Sequence, residues 1–386
     1  MTEALAHGDA LALARALVAV DSRNPSLVPD GPGEGACARF LARVLGEWGF
    51  RVELQTVAPG RPNVIARIGT AGGRALLVNG HLDTVGVDGM THAPWDPEVR
   101  DGRMYGRGSA DMKAGIAAMC AAAWRAAQDG LAGEVIVAAV VDEEYQSLGT
   151  RALVAAGITA DAAIVTEPTR LTVAAAHKGF VWADLVVRGV AAHGSRYDIG
   201  VDAIALAALV VAELERYQQA ELVRRSHPLL GRPSLHASFV RGGTGLSTYP
   251  DKCTVQFERR TLPGESPRDF IRELEDAVAR VRAGRPELDA VIVEGLSQAP
   301  NEVPADHRVV RMLTGALRAA HLPDTVSGLS CWTDAAILTA AGIPAVCFGP
   351  GDIGVAHAHE EFVPVADVAA ATSALSAVMS GWFAAA

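Results

Sequence analysis

Apolar residues recur at helical spacing from about Leu11 to Val20 and again from about Cys37 to Trp48, where Gly49 stops the run. Beyond Gly49 the period changes. Arg51 to Val57, Asn63 to Ile68 and Ala75 to Val78 are short runs of branched apolar residues bounded by Gly or Pro, which predicts strands. An alanine-rich helix follows over Ala114 to Gln128, stopped near Gly130. Then come a strand over Val135 to Val141, a helix over Gly149 to Ala156 and a strand over Ala162 to Val165. Wholly apolar strands alternating with helices imply an α/β domain built on a mostly parallel sheet covered by helices.

After about His177 the pattern turns to strict alternation. Phe180 to Arg188, Ser234 to Val240 and Lys252 to Arg259 read as strands with one wet face, Val201 to Glu215 and Phe270 to Ala283 as helices, and Ala290 to Val293 as a last short strand. Strand, helix, two strands, helix, strand is the order of a ferredoxin-like α+β unit. It predicts a smaller domain over residues 178–294 inserted into a larger one made of residues 1–177 and 295–386. Helices and strands resume from His307, through Ala335 to Ala341 and Pro344 to Phe348, to a closing helix near Val368 to Met379.

Composition narrows the function. The 386 residues carry 34 Lys and Arg against 44 Asp and Glu, a net charge of −10, with no basic stripe, so nucleic acid is not an expected partner. No apolar segment approaches the ~20 residues of a membrane span, and the N-terminus lacks a positive leader region, which points to a cytoplasmic protein without a membrane partner. The five cysteines are scattered and free of Cys-x-x-Cys spacing, as expected of buried reduced thiols.

Chemistry gathers at the ends of the apolar runs. Glu143 and Glu144 close one of them. Neighbouring side chains on a strand leave in opposite directions, so the pair can do different jobs only where the strand ends and the backbone turns. His81 and Asp83 follow a second run, Glu167 a third and His357 a fourth, and Asp111 lies in Gly106-Arg-Gly-Ser-Ala-Asp-Met-Lys113. Taken alone, His81 and Asp83 read as a core histidine and its hydrogen-bond partner. In open α/β sheets, however, ligands bind beyond the carboxyl ends of the strands. Buried carboxylates there must be exposed, paired with basic groups or bound to metal, and few basic residues lie near them in sequence. Two histidines and three acids without thiolate are one ligand too many for a single tetrahedral ion with an open position, and suit two ions sharing a carboxylate.

The motifs Asn79-Gly-His-Leu-Asp-Thr-Val85, Tyr105 to Gly115, Asp142-Glu-Glu144, Thr166-Glu-Pro168, Gly189 to Ser195, Arg260-Thr-Leu-Pro-Gly264, Gly349-Pro-Gly351 and Ala356 to Phe362 run in order along nearly the whole chain. In them the chain resembles the zinc-dependent acetylornithine deacetylase, succinyl-diaminopimelate desuccinylase and aminoacylase family, which also holds glutamate carboxypeptidases and dipeptidases. The resemblance implies two Zn²⁺ ions, replaceable by Co²⁺ or Mn²⁺, with His81 and Glu167 on one, Glu144 and His357 on the other and Asp111 bridging. It implies Glu143 as general base, Asp83 as the group that orients His81, His193 as a histidine brought from a partner subunit's lid to the substrate carbonyl, and Arg260 as the grip on a substrate carboxylate. His357 rather than His359 takes the ligand role because it lies four residues before Glu361. Glu360 stands where the family usually has Asn or Asp, and Ser247-Thr248 where it usually has an asparagine.

Gly349-Pro-Gly-Asp-Ile-Gly354 is formally a G-x-G-x-x-G, but no helical pattern follows it, and Gly351 is expected in a substrate-lining turn instead. Thr333-Asp334 matches a family position near the substrate, or serves as a helix N-cap. The expected activity is hydrolysis of the amide bond of an N-acyl amino acid, with a dipeptidase or carboxypeptidase of the same family as the alternative. A non-catalytic metal- or ligand-binding protein is the remaining class, and it leaves Glu143 unexplained. The resemblance further implies a homodimer formed through residues 178–294, with hinges near His177 to Gly179 and Leu296 to Pro300.

Overall fold

A computed structural model describes residues 5–384. The chain separates into two compact units, the first comprising residues up to Ala175, Glu302–Gly328 and the chain from Thr333 on, the second Ala176–Asn301 with Leu329–Trp332.

Helix α1 (Ala10–Val18) opens the first unit, its first turn capped by Asp9, whose carboxylate accepts the Ala12 N–H. Helix α2 (Gly35–Glu47) leads to a hairpin of β1 (Arg51–Ala58) and β2 (Arg61–Gly69), and β3 (Ala75–His81) is buried from Leu76 onward. A short ribbon of β4 (Val99–Arg100) and β5 (Arg103–Tyr105) precedes the tight turn Ser109–Lys113 and helix α3 (Ala114–Gln128). Helix α3 is buried on nearly every side, which explains its alanine content: small side chains let it pack on several neighbours at once. Strand β6 (Glu134–Val140), helix α4 (Leu148–Ala155), β7 (Ala162–Val165) and β8 (Val173–His177) follow.

The second unit contains β9 (Gly179–Arg188), α5 (Ala203–Ala220), β10 (Ser234–Gly242), β11 (Lys252–Thr261), α6 (Pro267–Gly284) and β12 (Asp289–Gln298). Its sheet is antiparallel in the order β10-β11-β9-β12, the ferredoxin-like arrangement. Val181, Ala183, Leu185 and Val187 of β9 point into one core with Leu206 and Val210 of α5 and Phe270 and Leu274 of α6, whereas Trp182, Phe239, Val291 and Val293 are exposed. Strand β12 runs past Val293 to Gln298 through a bulge between Glu294 and Ser297, where Gly295 lies against the Trp182 backbone; an added Cβ would crowd it.

Back in the first unit the chain forms β13 (Asn301–Glu302), α7 (Arg308–Ala319), β14 (Val326–Leu329), α8 (Ala335–Ala340), β15 (Ala345–Cys347), β16 (Phe362–Pro364) and α9 (Val365–Trp382). The large sheet has the order β1-β2-β6-β3-β7-β15-β8-β13, with β14 beside β8. Its centre, β6, β3, β7 and β15, is parallel, while the β1/β2 hairpin and β8 add antiparallel flanks. Register pairs His81 with Val140 and Asn79 with Val165, so three parallel strands end close to one level. Among the described residues no helix is long and apolar enough to cross a membrane.

Candidate metal centre

At the end of β6 the chain turns sharply. Asp142 takes a left-handed backbone conformation (φ 67°), and its carbonyl accepts the N–H groups of Gln146 (3.2 Å) and Ser147 (2.6 Å). The turn sends the two glutamates to different neighbours. Ligand atoms of His81, Asp111 and Glu144 lie within 4.8 Å of one another, and so do those of His81, Glu143 and Glu167.

Asp111 stands between the histidines. Its Oδ1 is 3.0 Å from His81 Nε2 and its Oδ2 3.3 Å from His357 Nε2, and His357 Nε2 is also 3.0 Å from Glu144 Oε1. Two ligands at ~2.0–2.1 Å from one tetrahedral ion would lie roughly 3.3 Å apart, so these spacings suit shared coordination. Glu361 holds Asp111 in place: one oxygen accepts the N–H groups of Ala110 (2.9 Å) and Asp111 (3.1 Å), the other Arg107 Nη1 (2.5 Å). Glycine at position 115 is required because a Cβ there would collide with the Thr166 carbonyl, and this close approach brings the start of α3 beside Glu167.

Asp83 acts through both backbone and side chain. Its carbonyl oxygen, not its carboxylate, meets His81 Nδ1 at 3.0 Å. The carboxylate instead accepts the N–H groups of Glu143 (3.1 Å) and Glu144 (3.2 Å). An imidazole with Nδ1–H held by a carbonyl presents Nε2 outward, the arrangement of a metal ligand.

The electrostatics point the same way. Burial pushes the carboxyls of Glu143 and Glu167 well above the usual range and that of Glu144 upward, and the neighbouring acids add to each shift. Asp334 is raised to about 6, again chiefly by burial. What offsets burial around Glu143, Glu144, Glu167 and Asp111 is imidazole rather than guanidinium. Burial opposes a proton on His357, yet hydrogen bonds to Asp111 and Glu144 push its pKa up to about 11, and His81 likewise lies well above its ordinary value. The protons on these rings supply the positive charge the acids demand. A divalent cation would replace them, and the oxygen and nitrogen donor set suits Zn, Mn or Co.

The other expected residues fall as follows. His359 packs its ring against Gly89. Gly351 (φ 85°) lies beside Ala110, one residue from Asp111. Thr333 is buried, its hydroxyl between Cys347 Sγ (3.2 Å) and the Ala335 N–H (3.3 Å) at the start of α8. Directly after Gly349-Pro-Gly351 comes a single 3-10 turn, Ile353–Val355, and not the α-helix a dinucleotide-binding glycine loop would open. In the second unit, His193 sits on the loop after β9 with Nδ1 2.8 Å from Ser195 Oγ. Arg260 donates from Nε to Glu258 Oε1 (2.6 Å) and lies over the Phe180 ring. Sequence reasoning passed over Asn24, Glu34 and Arg61 and the anchoring role of Glu361. All are buried polar residues, but isolated in sequence they resemble any surface position.

Residues 77–381 match the pattern of Peptidase family M20/M25/M40. The chain is 35% identical over 313 residues to an acetylornithine deacetylase of Myxococcus xanthus, covering 79% of this chain and 80% of the relative. Its fold is similar to that of the aminopeptidase PepT from Bacillus cereus ATCC 10987 (TM-score 0.80, 21% identity, 98% of this chain and 99% of that one). It is similar as well to the YXEP protein of Bacillus subtilis, described as a dinuclear metal binding peptidase from the M20 family (TM-score 0.74, 15% identity, 97% of each chain). The chain therefore belongs to Peptidase family M20/M25/M40 and is a metal-dependent hydrolase of amide bonds.

Proposed function

We propose that this enzyme releases the amino acid from an N-acyl amino acid, as a deacylase of the acetylornithine deacetylase type working with two zinc ions. The observation that carries the two-ion reading is the position of Asp111, with one oxygen toward each histidine. His81 and Glu167 would hold one ion, Glu144 and His357 the other, and Asp111 both. Bound there, the ions supply Lewis acidity toward water and an amide carbonyl.

The chain's own residues do the rest. Glu143, its proton affinity raised by burial, takes a proton from the attacking water and returns it to the leaving nitrogen. Asp83 fixes the backbone on which Glu143 and Glu144 stand. The second unit serves as the lid: Arg260 grips the substrate carboxylate through its guanidinium edge, and His193 donates to the developing oxyanion. Ser195 engages His193 Nδ1, which leaves Nε2 as the nitrogen to meet substrate. Gly351 lines the substrate beside Asp111. We assign a homodimer through this unit, supported by the edge strand β10 with its exposed Phe239 and Val240. The burial of Cys37, Cys120, Cys253 and Cys347 suits reduced thiols in a reducing cytoplasm.

The test is turnover of N-acetyl and N-succinyl amino acids beside simple dipeptides, with metal analysis of the purified protein. Hydrolysis of the acyl amino acids at two equivalents of zinc is expected. Turnover of peptides alone would make the enzyme a dipeptidase or carboxypeptidase instead.

A further inference from the structure

The divergence of Glu143 and Glu144 depends on the left-handed conformation of Asp142 just before them. Such a conformation costs energy for a residue with a side chain and persists only where its surroundings over-determine it. Here the surroundings are a buried polar cluster with no direct part in the reaction.

Arg61 donates from Nε to Glu34 Oε2 (2.7 Å) and from Nη2 to Glu34 Oε1 (2.6 Å), Asp142 Oδ1 (2.9 Å) and Asn24 Oδ1 (3.2 Å). Asn24 Nδ2 donates to Asp142 Oδ1 (3.1 Å) and to Asp83 Oδ2 (2.8 Å). Glu34 Oε1 accepts the Asp142 N–H (3.1 Å). Asp142 is thus gripped by side chain and backbone together, and the Asp83 carboxylate that receives the two glutamate N–H groups is tied to the same cluster. Asn24, Glu34, Asp83 and Asp142 are wholly buried. One guanidinium faces Glu34 and Asp142 directly, and the neutral amide of Asn24 lets Asp142 and Asp83 stand close without a second cation. An aspartate at position 24 would add a further buried anion, and an alanine would leave the two carboxylates unbridged.

We propose that Asn24 and Arg61 are positioning residues that clamp the Asp142 turn and the Asp83 carboxylate, and so set the separate directions of Glu143 and Glu144. The proposal rests on the reading of Glu143 as base and Glu144 as metal ligand.

The test compares Asn24→Ala, the milder Asn24→Ser and Arg61→Lys with wild type in the full chain. The readouts are calorimetric titration of Zn²⁺ into chelator-treated protein, kcat and KM on the best substrate of the acyl amino acid panel, and thermal melting. Asn24→Ala is expected to bind zinc more weakly by ~10-fold or more and to lose kcat by a similar factor, as does loss of a group that orients a ligand, with KM changed less than about threefold. Arg61→Lys keeps the charge but loses the fork and falls between Asn24→Ala and wild type. Combining Asn24→Ala with Asp142→Asn should cost less than the product of the single losses, because both break one contact. A role confined to stability would lower the melting temperature yet leave zinc affinity and kcat within about twofold of wild type while the variant is folded, and that result overturns the proposal. Should Asn24→Ala fail to fold, Asn24→Ser and Arg61→Lys are read by the same criteria. Glu143→Ala is a separate arm: unchanged turnover there would sink the base assignment, whereas turnover lost in Glu143→Ala but kept in Asn24→Ala sinks only the clamp.

Discussion

Two buried acidic clusters in this protein meet opposite solutions. In the second unit, Glu265 and Glu273 lie against Arg259, itself 1% exposed: Arg259 Nη2 is 3.0 Å from Glu265 and Nε 3.2 Å from Glu273, with Arg225 at 2.8 Å from Glu265. Burial works to raise Glu265, but the guanidinium charges and hydrogen bonds outweigh it and hold its carboxyl below the usual value. In the first unit Glu143, Glu144 and Glu167 are raised, and only imidazoles counter their burial. An acidic cluster with its own guanidinium is electrically complete. One answered by titratable rings calls for an external cation. Within the first unit guanidinium-paired acids, Glu361 with Arg107 and Glu34 with Arg61, stand behind the metal cluster and position it, though burial is deep enough there to raise both carboxyls in spite of the arginine.

The sharpest way to break this contrast is to remove metal. Exhaustive chelation should abolish turnover and lower the melting temperature, and added zinc should restore both, since a ligand that binds only the folded state stabilises it; a melting curve indifferent to chelator would mean that the first cluster needs no cation. Next in size, Glu143→Ala should lose ~10² or more in kcat while keeping its metal, because it removes a proton carrier and not a ligand. Metal analysis beside kinetics decides.

Breaking the complete cluster should do the reverse. Arg259→Met removes the guanidinium that Glu265 and Glu273 share, leaving Arg225 as their remaining cation, and should destabilise by ~1–3 kcal/mol with zinc stoichiometry unchanged. Denaturant melts and metal content measure it, and a loss of metal would erase the distinction between the clusters.

The two clusters should also answer pH with opposite sign. Glu265, lowered in the folded state, contributes stability that is present above the unfolded carboxylate value and lost as pH falls through its folded value. Asp334, raised from 3.8 to about 6, contributes stability that is fully present below 3.8 and lost as pH climbs toward 6. In metal-free protein Asp334→Asn should remove up to about 1.4 kcal/mol per pH unit of that slope. Urea melts across the interval would show it, and an unaltered slope would mean another group carries the titration. Smallest of all, His359→Ala, whose ring lies against Gly89, should change stability by no more than ~0.5 kcal/mol and leave zinc content intact, in contrast to His357→Ala.

Much of the architecture was legible before any coordinates. The alternation of Phe180 to Arg188 and Lys252 to Arg259 reflects a sheet with one face packed on helices, and β9 and β11 have just that burial. The unbroken apolar run at Val135 corresponds to β6, buried throughout. Strand β8 was missed because Val173-Ala-Ala-Ala-His177 has too little branched apolar content to read as a strand; its pairing in the large sheet, not its propensity, makes it one. The end of β12 was misplaced because the bulge at Gly295 interrupts the alternation without ending the strand. Of the two histidines near the chain's last motif, His357 lies 3.0 Å from Glu144 and His359 lies against Gly89, a division that no local pattern records.

What the sequence determined alone is whatever depends on local period and residue chemistry: which segments bury one face or two, and which donors stand at the strand ends. What it left to the tertiary structure is how those donors are divided and held. Whether Glu143 and Glu144 share a neighbour or part company depends on one backbone angle at Asp142, and that angle is kept by Glu34, Asn24 and Arg61, residues 81 to 118 positions away. Hydrogen bonds of that kind are set by distances in space, and no local pattern of apolar and polar residues records them.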